Sequence, residues 1–253
     1  SPLGEDLESP SGLYAPGKSG GKPMSQEDIA DVVASFVRGA RDAKTLGFDA
    51  IELHGRHGYL FDQFFWKATN NRTDRYGGNT IKERTLFATE VIRAVRAEIG
   101  EEFPIFFRLS QFKMAAYDAR VVDTPSELEE WVGPLKDAGV DIFDCSQRRF
   151  SEPEFAGSDL NLAGWVKKLT GQPTLTVGSI GFDNDLIKAL NTKAAGTDIP
   201  SIVEAAKRVE REEFDLVAVG RGMIADPNWA QKVREGTFDE LLAYDANMLR
   251  TLV

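Results

Sequence analysis

The sequence predicts an α/β protein, a (β/α)8 TIM barrel of which this chain carries part. Short, nearly continuous apolar runs alternate with amphipathic helices, as parallel strands covered by helices require. The residues suited to chemistry fall at the C-terminal ends of those runs, where such a barrel builds its site: His54, Arg108, Ser146, Gly178 and Gly220. An open dinucleotide-binding sheet would show G-x-G-x-x-G after its first strand, and neither Gly178–Gly181 nor Gly220–Gly222 has that spacing.

Residues 1–24 hold several Gly, Pro and Ser without a period and read as an irregular lead-in loop, lying on something else or disordered. Ser25 opens the first helix. It has capping-box spacing to Asp28, and Ile29, Val32, Val33, Phe36, Val37, Ala40 and Ala43 follow at helical intervals until Gly47. The strand runs are Phe48–His54, Ile105–Ser110, Val140–Ser146, Thr174–Ser179 and Phe214–Arg221. The helices between them are Asn79–Ile99, Pro125–Ala138, Leu160–Leu169 and Ile199–Val209, and a last helix, Pro227–Glu235, follows Asp226 as its expected N-cap. A closed barrel needs eight strands. Five are found, so either strands escape the pattern or the chain is only part of a barrel. Alternation along a strand puts His54 on one face with Glu52, and Arg108 with Phe106, while Ile51 and Leu53 face the helices.

Composition narrows the function classes. The 253 residues are 42% apolar and 28% charged, an ordinary globular balance. A net charge of −10 repels phosphate backbones, so no nucleic-acid partner is expected. No stretch approaches the roughly 20 apolar residues of a membrane span, so no membrane partner is expected, and Ser1–Lys22 is too polar for a signal peptide. The single cysteine, Cys145, excludes an internal disulfide, a zinc cluster and an iron–sulfur centre, and a cytoplasmic location is the simplest expectation. Its strand parity makes Cys145 a buried apolar residue rather than a nucleophile. The acidic stretches Glu127–Glu130 and Glu204–Glu213 read as solvated helix faces.

The two histidines of the chain lie in His54-Gly55-Arg56-His57-Gly58-Tyr59, at or just past a strand end. Three readings are open: loop histidines without a role, a metal pair, or two hydrogen-bond donors for an oxygen that gains negative charge. The metal reading is weak, because H-x-x-H on an extended segment does not align two imidazoles and no third ligand is adjacent. Tyr59 has the reach for general-acid work. Arg108 cannot lose its charge, so it needs an internal pair with Glu52 or Asp144, or else an electron-accepting ring or anionic ligand. Gly178-Ser179 and Gly220-Arg221 end the last two runs. They are either turn glycines or a phosphate cradle to which Arg221 adds charge.

Taken together, residues 47–60, then Asp62-Gln63-Phe64, then Thr69-Asn70-Asn71-Arg72-Thr73-Asp74-Arg75-Tyr76-Gly77-Gly78, resemble the Old Yellow Enzyme family. The likeness continues through Phe107-Arg108-Leu109-Ser110, Val177-Gly178-Ser179, Val219-Gly220-Arg221 and Ala225-Asp226-Pro227, and covers roughly residues 24–240. The resemblance implies a (β/α)8 barrel, an FMN cofactor, NADH or NADPH as reductant, and reduction of the activated C=C bond of an enone or related electrophile. It implies that His54 and His57 grip the substrate carbonyl oxygen, that Tyr59 donates the proton, that Arg108 lies by the flavin ring, and that Gly178, Ser179, Gly220 and Arg221 hold the phosphate. No metal is implied. Family members carry three further strands before the region matched here, so residues 25–253 are read as strands four to eight of the barrel. An open five-strand sheet exposes strand edges and apolar surface, so a missing N-terminal half-barrel segment or a homo-oligomer is expected to cover it. The rival readings are a non-catalytic barrel fragment that needs a second chain to bind flavin, and a metal-dependent lyase barrel.

Overall fold

The computed structural model describes residues 7–116 and 118–250; the first six residues of the expected lead-in lie outside them. The chain divides into two compact units, Ser1–Asp144 with Val166–Pro173, and Cys145–Trp165 with Thr174–Val253.

In the first unit, the expected lead-in contains four short strands. Glu8–Ser9 pairs with Lys22–Pro23 in parallel and Leu13–Ala15 with Lys18–Ser19 antiparallel. Segments of two or three residues are too short to show a period. One close approach explains a glycine there: a Cβ on Gly21 would lie 1.9 Å from the Leu7 carbonyl oxygen. Helix α1 (Gln26–Thr45) starts as the spacing predicts, with Ser25 Oγ accepting from Asp28 N–H at 3.0 Å and Asp28 Oδ2 accepting from Ser25 N–H at 2.8 Å.

Strands β1 (Ile51–Gly55) and β2 (Ile105–Leu109) pair in parallel, from Ile51 opposite Ile105 to Gly55 opposite Leu109. Leu53, Ile105, Phe107 and Leu109 are buried, whereas Glu52 and His54 are exposed and Phe106 and Arg108 partly so, the alternation read from the sequence. β1 starts later than expected because Phe48 closes the turn after α1, its N–H donating to the Ala43 carbonyl. Helix α2 (Leu60–Phe65) follows β1 after the turn 56–59. Phe61, Phe64 and Phe65 of α2 are buried in an aromatic core: Phe64 stacks on Phe87 at 4.1 Å between centroids, Phe61 meets Phe107 at 5.5 Å, and Phe65 meets Trp131 at 5.3 Å. Each buried ring contributes about 1.5–3 kcal/mol, which anchors the helix that begins at the candidate site.

The expected helix 79–99 is two pieces. Thr80 caps the turn Ile81–Arg84, and helix α3 (Leu86–Ile99) starts after Thr85, whose hydroxyl donates to the Ile81 carbonyl at 2.8 Å and so competes with the helical ladder. Helix α3 packs against α1. Helix α4 (Pro125–Asp137) has a complete capping box from Thr124 and Glu127. Strand β3 (Ile142–Ser146) follows, and the division between units falls within it, after Asp144.

In the second unit, helix α5 (Leu162–Thr170) begins, and strands β4 (Thr174–Val177) and β5 (Leu216–Val217) pair in parallel with Leu175 opposite Leu216. β5 is shorter than the apolar run 214–221 because Gly220 already caps helix α7 (Arg221–Ala225); helix α6 (Ile199–Glu210) precedes β5 and helix α8 (Trp229–Glu235) comes after α7. Asp226 does not cap that last helix. Asn228 holds the N-cap position, while Asp226 accepts from Asn228 N–H at 3.0 Å and from Lys232 Nζ at 2.8 Å, a local turn that ends α7 instead. Two small antiparallel pairs, Gly181–Phe182 with Thr197–Asp198 and Ala194–Ala195 with Tyr244–Asp245, enclose a core of Phe182, Ala189, Ala195, Ala225 and Tyr244. Among the described residues, no helix is long and apolar enough to cross a membrane.

Candidate active site

In the first unit, the end of β1 gathers the predicted donors. His54 is the penultimate residue of β1, His57 sits in the following turn, and Tyr59 holds the N-cap position of α2. The His54 and Tyr59 rings meet edge-on at 5.2 Å, and Tyr59 is 64% exposed. The turn is tight: His57 has φ +60° and Gly58 φ +86°. A non-glycine residue in the left-handed region costs about 1–3 kcal/mol and persists only when its surroundings fix it.

Both imidazoles are held neutral. Burial, with Arg56 and Arg108 nearby, lowers the His54 pKa, and the same causes push His57 down to about 3. Arg56 Nη1 lies 3.1 Å from His57 Nε2. A guanidinium only donates, so Nε2 accepts and the His57 proton sits on Nδ1. Burial and the Arg108 charge in turn lower Arg56 to about 10.

Arg108 stands opposite His54 in the β1–β2 register. Its Nη1 is 3.7 Å from Glu52 Oε1, and its Nε is 2.9 Å from Asp144 Oδ2, a close charge contact without the alignment of a hydrogen bond. Both internal acids named from the sequence therefore flank it. Burial raises Asp144 to about 7 despite the cations. The strand end thus holds two neutral donors, an accessible phenol and a cation with two acids on adjacent strands. Among the described residues, no three of His, Cys, Asp and Glu converge as a metal site.

In the second unit, Arg221 is held by neutral partners. It donates to Asn184 Oδ1 and to the Asn184 carbonyl, each at 2.8 Å, and lies 4.9 Å over the Phe182 ring. Its hydrogen-bond acceptors are neutral, while Asp185 and Asp183 act on it through charge. A Cβ added to Gly220 would meet nothing within 4 Å, which leaves its backbone open to close approach. Gly178 is different: a Cβ there would lie 2.6 Å from the Gln147 carbonyl oxygen, so packing alone demands glycine. Ser179 is left-handed at φ +57°, and its hydroxyl donates to the Arg148 carbonyl at 2.8 Å. Gly220 and Arg221 fit the phosphate of FMN, and Ser179 adjoins Arg221 at 3.5 Å.

Sequence reasoning did not single out Lys113, Asn184 or the Arg56–His57 contact, and gave Asp62 no role beyond its place in the resemblance. Asp62 left a signal, a carboxylate at a buried helical position among Phe61, Phe64 and Phe65. The block from Thr69 to Gly78 is a scaffold. Asn70 Nδ2 donates to the Phe64 and Tyr76 carbonyls, each at 2.8 Å, and Arg72 ties Asp74 to the carbonyls of Pro10 and Met24. It borders an open cavity of about 820 Å³.

Comparisons with known proteins place the chain in a family. The NADH:flavin oxidoreductase / NADH oxidase family matches residues 4–240. An NADH oxidase of Thermoanaerobacter brockii is 33% identical over 228 residues, 87% of this chain and 31% of that protein. An NADPH dehydrogenase of Clostridium acetobutylicum is 32% identical over 81% of this chain and 55% of its own length. Among solved structures, morphinone reductase in complex with tetrahydroNAD superposes with a TM-score of 0.69 at 24% identity, over 90% of this chain and 59% of that one. The chain spans little more than half, or less, of the relatives it matches. The fold is the one shared by these barrel enzymes, and the flavin and nicotinamide cofactors named for the family are those expected from the sequence. On the match across residues 4–240, this chain belongs to the NADH:flavin oxidoreductase / NADH oxidase family, the Old Yellow Enzymes.

Proposed function

We propose that this chain forms the catalytic part of an FMN-dependent NAD(P)H oxidoreductase that reduces the activated C=C bond of α,β-unsaturated carbonyl compounds. The observation that carries the reading is the neutral donor pair with an exposed phenol at one strand end, His54, His57 and Tyr59, beside Arg108. Relatives named NADH oxidase and NADPH dehydrogenase support the redox half of the reading.

When bound, FMN supplies the hydride chemistry, with NADH or NADPH as the reductant. The chain supplies position and charge. His54 and the Nδ1–H of His57 donate to the carbonyl oxygen, withdrawing electron density from the alkene and stabilising the enolate-like charge. Neutral imidazoles suit this role, because they donate without losing a proton to the enolate. Tyr59 gives its phenolic proton to the α-carbon. Arg108 is assigned to the electron-rich edge of the ring. Gly178, Ser179, Gly220 and Arg221 are assigned to the phosphate, with Gly220 and Arg221 the best supported. The reading includes a covering partner for the edge strand β5, a further N-terminal segment or a second copy of the chain, since Leu216 and Val217 are 45% and 36% exposed. A cytoplasmic location belongs to the same reading, supported by a single, buried cysteine.

The test is colour. The purified chain, incubated with FMN and desalted, should retain flavin absorbance, bleach with NADPH or NADH under anaerobic conditions and regain colour with cyclohexenone. A chain that keeps no flavin overturns the reading in favour of a fragment that needs a second chain.

A further inference from the structure

We propose that Asp62 and Lys113 are a positioning pair that fixes the His57–Tyr59 turn through the Gly58 peptide. Asp62 lies in the first turn of α2 and Lys113 in the segment after β2, both in the first unit. Their side chains are 0% exposed and ion-paired, with Lys113 Nζ on Asp62 Oδ1. Burying such a pair is costly, and two apolar residues of similar volume would stabilise the fold as well or better. The pair therefore calls for a geometric reason.

The other carboxylate oxygen supplies it. Asp62 Oδ2 accepts the Gly58 N–H at 2.6 Å, and the neighbouring Gln63 Nε2 donates to the Gly58 carbonyl at 2.7 Å. Both peptide groups of Gly58 are thus gripped by α2. Gly58 joins His57 to Tyr59, and His57 and Gly58 both hold left-handed backbone. A free turn would relax His57 out of that region. Lys113 orients the carboxylate, the carboxylate fixes the peptide, and the peptide sets the direction of the imidazole and the phenol on either side. Lys113 is also among the charges that keep His57 neutral. The functional importance of this grip rests on the reading of His57 and Tyr59 given above. The grip itself is measured without flavin or substrate.

The chain has two histidines, so their imidazole nitrogen resonances are simple to assign. In the double variant Asp62→Leu/Lys113→Met the apolar exchange keeps the volume and removes the acceptor. His57 should then lose the Nδ1–H tautomer signature and show averaged nitrogen shifts. In Asp62→Asn/Lys113→Met the amide oxygen still accepts from Gly58 but lacks its orienting cation, and the parent signature should return in part; no return would overturn the role of the Gly58 acceptor. A folded Leu/Met variant with unchanged His57 shifts overturns the proposal. Should that variant fail to fold, amide exchange of Gly58 in the parent decides. Protection of at least about tenfold over an open loop is expected, and exchange at the loop rate overturns the proposal. Loss of flavin uptake by the parent would instead count against the oxidoreductase reading alone.

Discussion

His54 stands directly across the parallel β1–β2 ladder from Arg108, and Arg56 reaches His57 from within the same turn. Both imidazoles therefore sit among fixed cations, His57 half-buried and His54 more open, and both are poorer proton acceptors than free histidine. Removing one cation should reverse part of this. In Arg56→Ala the His57 pKa is expected to rise from about 3 by one unit or more, toward 6.5; each unit corresponds to about 1.4 kcal/mol. Nuclear magnetic resonance titration of the two histidines measures it, and an unmoved His57 would show that burial alone holds it neutral.

Asp144 and His57 oppose one another in the pH dependence of stability. Asp144 binds its proton up to about pH 7 when folded, against 3.8 as a free side chain, so its contribution is full at low pH and is lost as pH rises through 7. His57 refuses a proton down to about pH 3 when folded, against 6.5 when free, so its contribution is full above 6.5 and is lost as pH falls toward 3. Between pH 4 and 6.5 the two slopes cancel. Asp144→Asn removes one of them. Relative to the parent, the variant should gain about 1.4 kcal/mol of unfolding free energy per pH unit over that range. Urea melts at pH 4.5, 5.5 and 6.5 would give the slope, and parallel curves for the two proteins would contradict it.

Gly178 and Gly220 end corresponding runs yet have opposite surroundings. An added methyl at Gly178 strikes the Gln147 carbonyl at 2.6 Å, whereas at Gly220 it meets open space. Gly178→Ala should cost about 1–3 kcal/mol of stability. Gly220→Ala should leave stability within about 0.5 kcal/mol but weaken FMN retention by roughly tenfold or more, because the methyl occupies the approach to the backbone. Thermal melts and flavin titration of both variants separate a packing cost from a loss of flavin binding.

These pairs also mark what the sequence could disclose. The alternation of Leu53 and Phe107 against His54 and Arg108 follows from the strand period alone, and the Ser25–Asp28 box from spacing alone, because both are local rules. The placement of His54, Arg108 and Tyr59 at or just past strand ends is legible for the same reason, since a strand's end carries its geometry with it. The Asp62–Lys113 pair was not, because it joins positions 51 residues apart and nothing in the run after Ser110 marks Lys113 as buried. Asn184 was missed because it lies in the stretch after β4 that shows no period. The reduced length of β5 depends on Gly220 capping α7, which outweighs the apolar character of the run that contains it.

Tyr59 offers the sharpest test of the chemistry. It holds the N-cap position of α2 without a side-chain cap, and its exposed ring touches His54 through an edge contact at 5.2 Å that does not use the hydroxyl. Tyr59→Phe should thus change stability by less than about 0.5 kcal/mol. On the proposed function, the hydroxyl matters only where a proton is delivered. In a flavin-loaded preparation, reoxidation by cyclohexenone should slow by roughly 100-fold, the usual worth of a positioned general acid, while reduction by NADPH stays within about twofold, since that half-reaction needs no proton from the phenol. Stopped-flow measurement of the two half-reactions distinguishes the cases. Equal slowing of both would mean that the ring positions ligands without protonating them, and the proton would then have to come from water or from a residue beyond the β1 end.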